Sequence, residues 1–441
     1  MKNKIIISII ALAFLANSAL GQQKLTLSKA QEYAVKNANS VAQSTFDSEL
    51  AAIQTKQVLS VGLPQVNGSV QFQNFLSLPT SVIPGAIFGS PGQDGKVQFG
   101  VPYQMNAGIS ASQLLFDGSW LVGVQASKAY LELAKMQIKR SEFEIKHQVA
   151  QAYHLALIAK ESIQLLEAGK LLIQKTLTES QALYKEGFIE EQNIDQLQLT
   201  LNDWNSRISV ALAQEQLTLD LLKFNMGMPI ASDIELEDNT SVLTSNISDA
   251  LLSEKFAAEG NLDVQIMNQA LGLQNLNVKA KQAAALPNFA AFYNYQKQAL
   301  RREFNFADRS QDWFPMQLWG VQMNVPIFSG GNRYLGIQKA KVEVAKMSAN
   351  AKIVREGALL AYNNARTNFM SALSTVNTNK ASMELAEKIF KKTNEKYKEG
   401  LATSFELTQA NNQVLQSQGN YVQSLLQLLN AKDQLQKALN Q

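Results

Sequence analysis

The sequence predicts a mainly α-helical protein with a membrane β-barrel portion. It reads as a duplicated repeat of long coiled-coil helical hairpins, with four strands per chain contributing to a barrel shared between chains. Three observations carry this. All nine prolines lie within 64–102, at 229, or within 287–326, so 103–228 and the whole chain after 326 are free of them. Short motifs recur in the same order in the two halves. Four segments that alternate apolar and small polar residues precede the proline-free stretches.

The first residues read as an export signal, 1–21. Lys2 and Lys4 give a positive start, Ile5 to Leu15 are mostly apolar, and Ala19-Leu20-Gly21 supplies small residues for cleavage before Gln22. The chain has no cysteine, which excludes a lipid-modified Cys, a disulfide framework and thiolate chemistry. A net charge of +3 is too small to argue for nucleic acid. After the signal no run of eighteen apolar residues remains, so a spanning segment has to be a β-barrel.

The duplication comes next. Leu63-Pro64 matches Leu286-Pro287, and Leu115-Phe116-Asp117-Gly118 matches Ile327-Phe328-Ser329-Gly330. Tyr184-Lys185-Glu186-Gly187 recurs unchanged as Tyr397-Lys398-Glu399-Gly400. The last two pairs lie 212 and 213 residues apart, so the stretch between them is copied with almost no change of length. Proline removes a donor and clashes with the preceding turn. The proline-free stretches, rich in Ala, Leu, Gln, Lys and Glu, are therefore predicted as continuous helix.

The first repeat is placed at 22–228, with strands about 65–76 and 97–116, a long helix about 119–186 and a return helix about 190–225. A polar linker follows at 229–255, after the stop at Met226-Gly227-Met228-Pro229. The second repeat is placed at 256–441, with strands about 288–298 and 316–328, a long helix about 331–399 and a return helix about 402–440. A helix of roughly 68 residues is about 100 Å long, for which a globular domain has no use. In the return helices Ile194, Leu197, Leu201, Trp204, Ile208 and Ala211 are spaced three and four apart. Val414, Tyr421, Leu428 and Leu435 repeat every seven, the spacing of a coiled-coil seam. Each long helix ends at a glycine able to take the left-handed conformation, Gly187 or Gly400, which sets the hairpin tips there.

From Val97 through Phe99, Val101, Tyr103, Met105, Ala107 and Ile109 to Ala111, apolar residues alternate with Gln, Gly, Asn and Ser; Pro102 fits poorly in a central strand, which leaves a start just after it as the alternative. Val66, Val70 and Phe72 alternate likewise, as do Phe289, Ala291, Tyr293 and Tyr295, and Trp319, Val321, Met323, Val325 and Ile327. A soluble sheet's wet face usually carries Lys and Glu. Neutral polar residues opposite apolar ones suit a wet lumen on one side and lipid on the other. A bacterial barrel needs at least eight strands, so four must be shared: two chains would supply eight and three would supply twelve.

These features resemble the TolC-like outer-membrane efflux protein family over almost the whole mature chain. The carriers are the two Leu-Pro pairs, Phe328-Ser329-Gly330-Gly331, Tyr397-x-x-Gly400 with Glu406 and Ala410, and Gly227-x-Pro229. The resemblance implies a homotrimer with a twelve-stranded β-barrel in the outer membrane and an α-barrel across the periplasm, belted at its equator by 229–255. It implies a passive export duct of a tripartite efflux or type I secretion system, without cofactor or metal. Its partners would be outer-membrane lipid, a periplasmic membrane-fusion adaptor, and a proton-driven or ATP-driven inner-membrane transporter. The adaptor-docking tip would comprise Tyr184, Gly187, Phe188, Tyr397, Gly400 and Leu401. The constriction would comprise Glu406, Gln409, Asn193 and Asp195. The chain departs from the family at Gln409 (a second acidic position), at Ala402 (the latch arginine) and at Asn193 (the carboxylate partner of the tip tyrosine). The last still allows a Tyr397–Asn193 hydrogen bond, but the charged latch is not retained.

Two rival readings carry less. An enzyme would need a site, yet Glu142 with Glu144 and Glu190 with Glu191 read as solvated helix faces. His147 and His154, seven apart on one helix face, read as structural. A coiled-coil or adhesin-like surface protein without transport has no need of four alternating strands.

Overall fold

The computed structural model describes residues 23–440 except 85–86, 88, 90–91, 93–94, 241–253 and 255. The predicted signal 1–21 and its cleavage point before Gln22 lie outside the described residues, as does most of the linker's second half. In chain order the elements are β1 (Gln23–Leu25), α1 (Leu27–Asn37), α2 (Asn39–Ser60), β2 (Gln65–Asn74), β3 (Thr80–Ile83), β4 (Gly95–Gln98) and β5 (Tyr103–Phe116). Then follow α3 (Gly118–Lys185), α4 (Glu191–Met226), β6 (Ile234–Leu236), α5 (Leu262–Ala283), β7 (Asn288–Arg301), β8 (Phe314–Asn324), α6 (Asn332–Lys398) and α7 (Ser404–Leu439). The duplication is visible in the lengths. The long helices have 68 and 67 residues, the return helices 36 each, and the helices before the strands 22 each.

The chain forms two compact units, each built from both halves: 1–48 with 133–268 and 349–441, and 49–132 with 269–348. The second unit holds an antiparallel four-stranded sheet in the order β2-β5-β7-β8. Its register places Val66, Ala111, Tyr293 and Trp319 in one row, so the apolar sets picked out separately in four segments meet on one face. That face is uncovered: Val70 is 73 % exposed and Trp319 79 %. The opposite face carries Asn67, Ser110 and Asn294 in one row and Gln71, Asn106 and Gln298 in another.

The alternation starting at Val97 is not one strand. Gly100 takes a φ of +109° and Pro102 has no N–H for a ladder, so the wall strand begins at Tyr103. Residues 95–98 instead pair with β3 as a separate ribbon. Below the sheet, the Trp120 indole donates to the Val58 carbonyl at 2.7 Å, with its ring against Gly62 where any Cβ would collide.

The first unit is packed helix on helix. Val414, Leu428 and Leu435 of the seven-residue seam are buried and Tyr421 partly so, and Leu197, Trp204 and Ile208 of α4 are buried as well. The Trp204 ring lies where a side chain on Gly169 would be, and its indole donates to Asn411 Oδ1 at 3.0 Å. The linker is not wholly irregular: Ile234–Leu236 pairs in parallel with Gln23–Leu25. The Asp238 carboxylate accepts from the Leu27 amide at 2.7 Å and from the buried Tyr153 hydroxyl at 2.8 Å, fixing this corner. His147 Nδ1 sits 2.8 Å from Asp433 Oδ1, both buried, tying α3 to α7. Burial pushes His154 down to about 4.

Candidate functional site

The two hairpin tips are built from the same backbone device. At the first, Gly187 has φ +81° and the Phe188 amide donates to the Leu183 carbonyl at 3.0 Å. At the second, Gly400 has φ +71° and the Leu401 amide donates to the Lys396 carbonyl at 2.8 Å. These six-to-one bonds over a left-handed glycine satisfy carbonyls that the ending helix would leave bare. A side chain on either glycine would meet open space, so the strain of substitution is in the backbone alone. Phe188 and Leu401, the residues after the glycines, are 76 % and 73 % exposed. Two large apolar side chains thus stand uncovered at the ends of the hairpins.

Three contacts bring the tips together. Lys398 Nζ lies 2.6 Å from Glu179, Ser404 Oγ donates to Gln196 Oε1 at 3.0 Å, and Ser180 Oγ donates to the Tyr397 hydroxyl at 3.5 Å. A turn further along, Thr176 Oγ1 donates to Asn394 Oδ1 at 3.0 Å. Tyr397 is buried whereas Tyr184, its counterpart in the repeat, is exposed. The Tyr397–Asn193 bond that the sequence allows is therefore replaced by one to Ser180. The hydroxyl points back along the helix pair toward α3, and Asn193 instead sits half-buried in the first turn of α4.

Glu406 occupies the third position of α7, because 400–403 form the turn and the helix starts at Ser404, not at about 402. Its carboxylate accepts from the Thr403 amide at 2.7 Å and from the Thr403 hydroxyl at 3.0 Å, while Thr403 Oγ1 accepts from the Glu406 amide at 3.2 Å. This is a capping box. These bonds hold the carboxyl below the usual range, the Thr403 amide contributing most. Glu406, Gln409 and Asp195 are exposed. Sequence reading passed over Thr403, although Thr-x-x-Glu before an apolar run is the signature of that cap. It also passed over Ser180, Gln196 and Ser404, whose pairings join residues some 210 apart and leave no local signal.

Among the described residues no group of His, Cys, Asp and Glu is arranged to hold a metal ion. The tips offer exposed apolar and charged surface at the helix ends.

Against known proteins, residues 255–441 match the family model described as outer membrane efflux protein. That match spans the second of the two repeats. No curated protein matches the sequence. Among solved structures, CusC superposes with a TM-score of 0.74 at 15 % identity, over 94 % of this chain and 91 % of its own. VceC of Vibrio cholerae gives 0.70 at 16 %, over 94 % and 95 %. The CmeC outer membrane channel of Campylobacter jejuni gives 0.69 at 17 %, over 94 % and 85 %. These likenesses carry the fold: over 94 % of its length the chain shares the fold of these solved outer-membrane proteins.

Proposed function

We propose that this chain is the outer-membrane channel subunit of a tripartite efflux or type I secretion system. It works as a homotrimer and is docked at its hairpin tips by a periplasmic adaptor that links it to an inner-membrane transporter. The observation that carries this is the four-stranded sheet with two unpaired edges, β2 and β8, and one exposed apolar face. Such a sheet cannot close on itself. Edges left bare in lipid would strand a row of amides and carbonyls, so β8 of one chain pairs with β2 of the next. Three copies supply twelve strands. Aromatic residues mark both ends of the wall: Tyr103 packs with Phe72 and Phe304 at one end, and Phe116 with Phe289 at the other. The fourteen residues from Tyr103 to Phe116 span about 43 Å along the strand. Tilted by about 40° they cover roughly 33 Å of height, enough for an apolar band of about 25 Å and its two girdles.

The transport chemistry is passive. The duct binds no cofactor, and energy enters through the proton-driven or ATP-driven partner. The test uses the chain's lack of cysteine. Single cysteines scanned along β2 (Asn67, Ser69, Gln71) and β8 (Met316, Leu318, Gly320) are paired in one protein and oxidised in membranes. Linked dimers and trimers for one register, with a trimeric mass in mild detergent, are the expected result. A monomeric mass with native helix content would overturn the architecture.

A further inference from the structure

The apolar face of the sheet holds two cations: Lys297 within its apolar rows and, at the aromatic end, the buried Arg301, which donates to the Leu300 and Asp312 carbonyls. Lys297 lies in the row Val70–Ala107–Lys297–Pro315, next to the row Gly68–Ile109–Tyr295–Gln317. It is exposed and has no ion-pair partner among the described residues. Four residues separate it from the Tyr103–Arg301 row at the aromatic end, about 13 Å along the strand. A bare ammonium there faces hydrocarbon, which is unfavourable at the midplane and tolerable near the interface only with a polar partner within reach.

Around it the surface is a groove, not a wall. Gly68 and Ala107 leave the floor low, Val70, Ile109 and Tyr295 form the sides, and Trp313 folds in from the loop after β7. The groove is shallow and open, with a volume of about 620 Å³ and a mainly apolar lining that includes the Trp313 indole and Lys297. A Cβ on Gly68 would meet nothing nearer than the Gly108 carbonyl oxygen at 4.0 Å, so the low floor is not demanded by packing within the chain.

We propose that this groove is a binding site for a phosphorylated, acylated membrane lipid, with one chain along Gly68 and Ala107 and its phosphate on Lys297. The proposal rests on reading the apolar face as the lipid-facing wall. Charge complementarity selects the occupant: an anionic headgroup at the interface satisfies the ammonium, whereas an uncharged lipid leaves it bare. Tyr295 and Trp313 present amphipathic rings at the same level, as interfacial aromatics do.

The experiment compares phosphatidylglycerol with diacylglycerol of the same chains, titrated into delipidated full-length protein in detergent and counted by native mass spectrometry. Wild type is expected to prefer phosphatidylglycerol by about fivefold, the effect of one cation near a headgroup. Lys297→Gln should erase that preference, Lys297→Arg should restore it, and Gly68→Phe should weaken uptake of both lipids. A preference that survives Lys297→Gln, or uptake unchanged in Gly68→Phe, overturns the site. The variants' mass and detergent requirement are read in the same samples. Loss of the preference with both retained concerns this groove alone, whereas a wild type that needs no detergent would instead defeat the reading of the wall.

Discussion

The turn at Gly187 and the turn at Gly400 begin from the same four residues, and they end differently. Both close a long helix with a left-handed glycine and a six-to-one bond. Beyond that point they diverge. The second return helix starts with the Thr403–Glu406 capping box, while the first starts at Glu190 with no side-chain cap, and Asn193 stands in the place of Glu406. The tyrosine before the glycine is exposed in one tip and buried against Ser180 in the other. Around the first tip Lys185, Glu186, Glu190, Glu191 and Asp195 are exposed, and around the second Lys391, Lys392, Glu395, Lys396, Lys398, Glu399 and Glu406, so the first surface is mainly acidic and the second mixed. Duplication has kept what the backbone requires and released what side chains supply. Two tips with one geometry and unlike surfaces suit a partner that meets both in different ways.

The largest effect tests what they share. Gly187→Trp and Gly400→Trp both force a bulky L-residue into the left-handed region, which costs about 1–2 kcal/mol at a site with no compensating contact. Each is expected to abolish export while trimer yield on a native gel stays as in wild type, because the tips lie far along the chain from the strands. Normal export from either variant would break the comparison and remove that tip from the docking surface.

A smaller effect tests what they do not share. Thr403→Ala removes the cap and should destabilise the start of α7 by about 1 kcal/mol, seen as faster hydrogen exchange of the amides of 404–407. Glu190→Ala should leave the amides of 191–194 unchanged, since Glu190 makes no side-chain cap bond. The double change Glu190→Thr with Asn193→Glu should slow exchange at the first tip toward that of the second. If both tips respond alike to alanine, the capping difference carries no energy.

How much of this was legible follows the range of each signal. Gly187 and Gly400 were readable because a repeated tetrapeptide ends two proline-free stretches. The long helix from Gly118 to Lys185 was readable because nothing within it breaks a helix. The apolar faces of the four strands were readable from parity, and their register from nothing local, since it depends on which strands become neighbours. The strand bounds from 97 were too long because alternation continues through Gly100 and Pro102 while the ladder does not, and the start just after Pro102, which proline's missing donor suggests, is where the strand begins. At the tips, the Thr403 cap was readable and missed. Ser180, Gln196 and Ser404 carry no pattern at all, and only the packing of α3 and α4 against α6 and α7 makes them partners. Lys297 was hidden for the opposite reason: a lysine in a strand is ordinary until the register shows which face it stands on.

The smallest effect is also the one that assigns a role to Glu406. Its bonds to Thr403 lower its pKa within one chain. By linkage, that part of the stability of α7's first turn is complete above the carboxyl's unfolded pKa and is lost as pH falls through the lowered folded value. A constriction ring works in the opposite direction. Three such carboxylates brought close by threefold symmetry repel one another and raise the average pKa of the set. A ring of this kind favours cations in a pore. The midpoint at which selectivity disappears therefore tells the two roles apart. In planar bilayers at low salt, where screening is least, wild type should prefer cations at neutral pH. On acidification it should lose that preference above the ordinary glutamate value of about 4.3. Glu406→Gln should show the low-pH selectivity at every pH, while a glutamine at this position still serves a capping box and keeps α7 intact. If the reversal potential of Glu406→Gln equals that of wild type throughout, Glu406 is a cap and nothing more. The acidic constriction would then belong to Asp195, on the tip that lacks the box.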